Sequence, residues 1–252
     1  MIIDGITWPV LVFGACAFLL GGVLKGLAGF GLPLIAISLT SAFMPIEAAL
    51  AINVIPPFLL NVWQVGGVKG AAETWRRYSP VLIGLPVGIA IGAASAAALD
   101  TNLLVGAVGA VTVTFCVSQF AGWRLHVSPA HVSPAGFATG VMSGFLGSLT
   151  TVTGPPMVMY LLAAKAAPDV FKSALGLFFL AAGIMLTLAF VSIGFLSLPL
   201  ALVGTLMTLP AAAGMWLGRH LSQRVNAEVF RGIVLVLLAV LGLNLLRRAT
   251  FG

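Results

Sequence analysis

Charge is what this sequence lacks. Its 252 residues include only six acidic and twelve basic side chains, 7% of the total, where a soluble domain carries about a quarter. With 60% of residues hydrophobic and a mean hydropathy of +1.16, too little polar surface remains to cover a fold in water. That excludes a secreted enzyme, a nucleic-acid binder and a disordered chain. The net charge of +6 does not mark a polyanion partner, because the cations outside the apolar runs are split among short segments instead of forming one stripe.

Catalytic and metal-binding patterns are missing too. There is no P-loop, H-E-x-x-H, G-x-S-x-G or C-x2-C, so neither an enzyme, a cofactor nor a metal site is expected. Any solute movement would run on gradients. Cys16 and Cys116 both lie in apolar runs, where they read as packing residues. His126, His131 and His220 lack metal-ligand spacing and read as solvated loop residues. Only Asp4 precedes the first apolar run, whereas a signal peptide wants a basic start, so that run is expected to be a mature helix.

Long apolar runs are what the sequence does have. Charge-free stretches cover 5 to 24, 26 to 46, 48 to 68, 78 to 99, 101 to 123 and 173 to 218, each near or above the roughly 20 residues a helix needs to cross a bilayer. A membrane β-barrel would show weaker alternating segments of about ten residues. The expectation is an all-α polytopic membrane protein, a single transmembrane transporter domain over 1–252.

The sequence also repeats itself. Gly22, Lys25 and Gly26 stand where Gly140, Ser143 and Gly144 recur at an offset of 118; Pro33 and Pro45 match Pro156 and Pro168 at 123; Gly88, Gly92 and Gly106 match Gly214, Gly218 and Gly232 at 126. Two copies follow, about 10–124 and 134–248, with small insertions in the second. Each holds three runs able to span: 46 to 65, 78 to 98 and 101 to 120, then 170 to 191, 199 to 218 and 229 to 246.

The start of each copy is different. Residues 32 to 44 after the glycine-rich 29 to 31, and both 134 to 147 and 155 to 164 around 148 to 154, are too short to cross, as in a broken or re-entrant helix. If these openings turn back, each copy crosses three times and is inverted relative to the other. Lys69, Arg76, Arg77, Arg124, Lys165, Lys172, Arg219, Arg224 and Arg231 then share one face, with only Arg247 and Arg248 opposite. If the openings cross, the cations divide almost evenly. Positive-inside bias selects inverted repeats, each a re-entrant hairpin followed by three transmembrane helices, with the cation-rich face in the cytoplasm.

Polar residues inside the runs mark a candidate substrate site. Non-helical backbone survives in a membrane only when buried in protein or lining a wet cavity, so the breaks at 29 to 31 (Gly29, Phe30, Gly31) and 148 to 154 are expected to meet. The short helices after them begin at proline and would aim their N-terminal ends, which attract anions, at the midplane. Lys25 near the end of an apolar run needs a partner, or else snorkels to an interface. Ser148, Thr150, Thr151 and Thr153 either bond a small oxyanion or cap the broken backbone. Asn53, Pro57, Asn61 and Gln64 form one helical stripe, whereas copy two has Gly176, Leu180 and Ile184 at the first three positions. The fold therefore does not require that stripe, which favours a functional role. Glu47, two residues after Pro45, suits the first turn of a helix, with proton carriage as the alternative.

The glycine-rich segment from Gly22 to Pro33, its echo from Gly140 to Pro156, and the Leu-Pro-x3-Gly-x3-Gly pattern at 209 to 218 resemble the sulfite exporter TauE/SafE family, also called toluene-sulfonate uptake permeases. The resemblance covers nearly the whole chain. It implies a permease of the bacterial inner membrane for small sulfur-containing anions such as sulfite or organosulfonates, without nucleic acid and with a coupling proton or ion as a possible partner. Lys25, Phe30, Ser148 and Thr150 to Thr153 depart from the glycine-rich pattern and bear on the choice of substrate. The expected function is gradient-driven transport by alternating access; an anion channel and a non-transporting accessory protein are the alternatives.

Overall fold

The computed structural model describes residues 8–65, 71–121, 128, 131–221 and 227–251. Among them are ten helices: α1 (Trp8–Ala28), α2 (Leu32–Thr40), α3 (Ile46–Val65), α4 (Ala71–Ala98), α5 (Thr101–Phe120), α6 (Val132–Thr150), α7 (Gly154–Ala163), α8 (Pro168–Ser192), α9 (Leu198–Leu221) and α10 (Ala227–Phe251). Six of them, α1, α3, α4, α5, α8 and α9, hold a stretch long and apolar enough to cross a membrane. The protein is polytopic, helical and transmembrane. Leu188, Leu198, Leu209 and Trp216 lie exposed on the helix surfaces, as expected where the surroundings are lipid.

Both openings are hairpins. Gly29 at φ 83° and Gly31 at φ 98° reverse the chain after α1, and a Cβ at Gly31 would lie 2.6 Å from the Leu24 side chain. Helix α2 then runs back along α1, so that the rings of Phe13 and Phe43 stack with centroids 4.7 Å apart. In the second opening Thr151 takes the left-handed conformation at φ 59°. Helix α7 returns along α6, Thr153 against Gly147, and Tyr160 donates to the Val132 carbonyl at 2.8 Å.

The second break is shorter than the sequence suggests. Only 151 to 153 is non-helical, against an expected 148 to 154. Ser148 and Thr150 donate to the carbonyls of Gly144 and Leu146, each one turn back, at 3.0 and 2.7 Å. Such bonds are compatible with helix, and α6 continues to Thr150.

Glycines set the helix directions. Gly22 and Gly26 of α1 lie on the Ala211 and Met215 carbonyls of α9, while Gly214 and Gly218 lie on Leu19 and Val23, so α1 and α9 run the same way. Gly140 and Gly144 of α6 lie on the Val81 and Leu85 carbonyls of α4, and Gly88 and Gly92 on Val141 and Phe145, again in parallel. Helices α5 and α10 run oppositely, with Gly109 on Gly242, Gly106 near Ala249, and Cys116 Sγ 3.4 Å from the Leu235 carbonyl. Exchanging α1–α5 with α6–α10 converts the α1–α9 packing into α6–α4 and the α3–α9 packing into α8–α4; α3–α8 and α5–α10 map onto themselves.

The packing partners match in a different register from the glycine motif of the sequence. Gly22 meets Ala211 and Met215 as Gly144 meets Leu85 and Ile89, partners that differ by 126 in number. Gly22 thus corresponds to Gly144, an offset of 144 − 22 = 122, and not to Gly140. On that register Gly29 matches Thr151, both of them left-handed, and Pro33 matches Pro155 without an insertion.

The loop cations Lys69, Arg124 and Arg224, and likewise Asp4 and His126, lie outside the described residues. Arg248 donates through Nη1 to the Ser41 carbonyl at 2.8 Å. A cation at the C-terminal end of α2 is favourably placed against the helix dipole, which gives Arg248 a local role. Glu47, in the first turn of α3, accepts from the Thr101 hydroxyl at 2.8 Å.

Candidate substrate site

Helix α3 is an unbroken helix although Pro56 and Pro57 lie inside it. Neither proline has an N–H, so the Ile52 and Asn53 carbonyls lose their usual i+4 donors halfway along the helix. At this level the two hairpin tips meet and a cavity opens between α3 and α8. Lys25, Phe30, Gly31, Asn53, Asn61, Thr151 and Thr153 all line it, with both α2 and α7 beginning at its wall.

Asn53 joins the tips. Its Nδ2 donates to the Pro33 carbonyl at 3.2 Å and to the Thr151 hydroxyl at 2.7 Å. The Thr151 hydroxyl in turn donates to the Thr150 carbonyl at 2.6 Å. Asn53 is fully buried, and its Oδ1 has no partner among the described residues.

Lys25 is 4% exposed. Its Nζ donates to Asn61 Oδ1 at 2.7 Å and stands 5.5 Å from the centre of the Phe179 ring. Both partners are neutral. The charge that acts on it is a second cation, Arg219 of α9. Lys25 does not snorkel to an interface; it occupies the last turn of α1, whose dipole favours a cation there. The ammonium thus meets the cavity with neutral partners among the described residues.

The helix N-termini contribute less than the sequence suggests. Pro33, Pro155 and Pro156 remove N–H groups from the first turns of α2 and α7, and the C-terminal ends of α1 and α6 reach the same tips with opposite dipole. Lys25 is the one charged side chain among the described residues that line the cavity.

Three expected site residues lie off the cavity. Gly29 is exposed and serves the turn. Ser148 is buried against α4, bonding the Ile89 and Gly144 carbonyls, and Thr150 bonds Leu146 and receives the Val152 N–H. Their hydroxyls cap backbone. Thr153 is buried at the wall with its hydroxyl unengaged among the described residues. Sequence reasoning missed Phe58, which packs on Gly183, and Phe179 beneath the ammonium. The available signal was the repeat itself, since α8 is the counterpart of α3 and shares its central position. The side chain of Gln64 lies outside the described residues.

A helical membrane protein with a mostly apolar cavity and a few polar side chains between two hairpin tips has an architecture suited to a transporter. The chain belongs to the sulfite exporter TauE/SafE family, whose model matches residues 13–245. Searches of curated proteins and of solved structures gave no match. Membership makes the protein a membrane transporter of a small anion, not an enzyme.

Proposed function

We propose that the protein carries a small sulfur-containing anion, such as sulfite or an organosulfonate, across the inner membrane of a bacterium, driven by a gradient. The observation that carries this reading is Lys25, a buried cation with a neutral hydrogen-bond partner on a cavity wall. An anion placed there supplies the counter-charge that the chain omits, and Asn61 Nδ2 and the Thr153 hydroxyl offer further donors.

We further infer that the halves are inverted repeats and that transport alternates access between them. The parallel α1–α9 and α4–α6 pairs, the antiparallel α5–α10 pair and the exchange symmetry of the packing support this. In this scheme each glycine-knit pair moves as one body, and the cavity between the tips opens to one side at a time. The orientation follows the cation count, with the end of α7 and the end of α9 in the cytoplasm.

The test is thermal-shift screening of detergent-solubilised protein against sulfite, sulfate, thiosulfate and organosulfonates, followed by flux in liposomes. A ligand that binds only the folded state raises its apparent stability. Stabilisation by sulfur anions together with saturable flux is expected. A large conductance in place of saturable flux would replace the transporter with a channel.

A further inference from the structure

We propose that the cavity takes an anion with two unlike ends: a monovalent head held by Lys25 and Asn61, and a hydrogen-bond donor, such as a hydroxyl, held by Asn53. The inference rests on the anion site proposed above and adds a requirement at its other end.

The two ends of the cavity differ in chemistry. At the Asn61 level the free groups are donors, the remaining protons of the Lys25 ammonium and the Asn61 Nδ2. At the Asn53 level the free group is an acceptor. The orientation of the Asn53 amide is fixed by its neighbour: the Pro33 carbonyl only accepts, so Nδ2 must face it and Oδ1 must point away. That oxygen is left buried and without a partner among the described residues. Beside it, Pro57 has no N–H to offer the Asn53 carbonyl, so a second acceptor at this level lacks its usual donor.

Buried acceptors of this kind are rarely left alone. A simple alkyl anion would satisfy Lys25 and bury Asn53 Oδ1 against carbon, whereas a hydroxyl at the far end satisfies both. The spacing sets the length. Asn53 and Asn61 are eight residues apart, about 12 Å along a helix. Two hydrogen bonds of about 2.8 Å each leave room for a head group and about two to three carbons.

The test compares 3-hydroxypropane-1-sulfonate with butane-1-sulfonate, which match in charge and length and differ by a hydroxyl for a methyl. Binding to the purified full chain is measured by calorimetry. The hydroxyl compound is expected to bind about ten-fold to a hundred-fold tighter, the range for satisfying a buried acceptor. The sign is diagnostic, because Phe30, Phe58 and Phe179 in the wall would otherwise favour the more apolar ligand. In Asn53→Ala the ratio of the two affinities is expected to fall towards one, a comparison made within one variant. Equal affinities in the native protein, or tighter binding of the butane compound, overturn the donor requirement and leave the anion site standing. Failure of both compounds to bind folded protein that does bind sulfite or sulfate overturns this inference and leaves the anion site standing; failure of every sulfur anion to bind overturns both.

Discussion

Asn53 and Thr151, 98 residues apart in sequence, are joined by a 2.7 Å hydrogen bond from the amide to the hydroxyl. This contact links copy one to the left-handed turn of copy two, and the same amide holds the Pro33 carbonyl of the other tip. One side chain thus serves backbone that neither lipid nor its own hairpin can satisfy.

The first prediction concerns that bond. Asn53→Ala and Thr151→Ala are each expected to lower stability by about 1–3 kcal/mol, the cost of leaving a buried polar group unmatched. The double variant is expected to cost less than the sum, with a coupling of about 0.5–3 kcal/mol. Unfolding in mixed detergent micelles measures the cycle; strict additivity would mean that the bond carries no coupling.

Thr151 itself makes a second case. A β-branched residue at φ 59° is strained by roughly 1–2 kcal/mol. Thr151→Gly is expected to release that strain while losing the hydroxyl, leaving stability near wild type. Thr151→Val keeps the strain and loses the bond, and is expected to melt well below Thr151→Gly. Equal melting temperatures would show that the turn is not strained.

Lys25→Gln keeps a polar side chain of similar length and removes the charge. Losing a charged hydrogen bond costs about 1.5–3 kcal/mol, about ten-fold to over a hundred-fold in affinity. Weaker anion binding of that order is expected, with the ligand-free melting temperature unchanged or raised, because an uncompensated buried charge has gone. Unchanged affinity would move the anion site away from Lys25.

The glycine contacts give a contrast between positions. A methyl at Gly88 or Gly214 would strike the Val141 or Leu19 carbonyl, and Gly88→Ala and Gly214→Ala are expected to lower the melting temperature and impair transport. Gly232 has open space around it, and Gly232→Ala is expected to be neutral or to gain up to about 1 kcal/mol from helix propensity. Equal effects at all three would show that the close approach is unimportant.

Sidedness is checked by single-cysteine labelling in a chain freed of Cys16 and Cys116. Lys165→Cys and His220→Cys are expected to be reached from one side, Ala42→Cys and Thr250→Cys from the other. Labelling of Ala42→Cys and Thr250→Cys from opposite sides would remove the inverted arrangement, because an odd number of crossings would then separate them.

Much of the fold was legible because charge-free runs and glycines are direct signals. Helices α3 and α5 occupy the expected 46 to 65 and 101 to 120, and the first break falls at 29 to 31. The second break was overdrawn because a serine or threonine hydroxyl bonds a loop or its own i−4 carbonyl equally well, and only packing decides. The register slipped by one turn for a similar reason: Gly136, Gly140 and Gly144 recur every fourth residue, so the ladder matches itself when shifted. Lys25, Asn53 and Asn61 stood out as polar residues in apolar surroundings, whereas Phe179 did not, since an aromatic in an apolar helix carries no mark of the cation above it.

The hairpin tips bear on how the chain is made. When α1 and α2 leave the ribosome, the donor for their tip has not been synthesised: Asn53 follows on α3, and its second acceptor, the Thr151 hydroxyl, arrives only with the second copy. Membrane insertion of the first copy therefore precedes its completion. The Pro33 carbonyl is met within the first copy, but the bond from Asn53 to Thr151, which ties the two tips together, forms only once the second copy is in place.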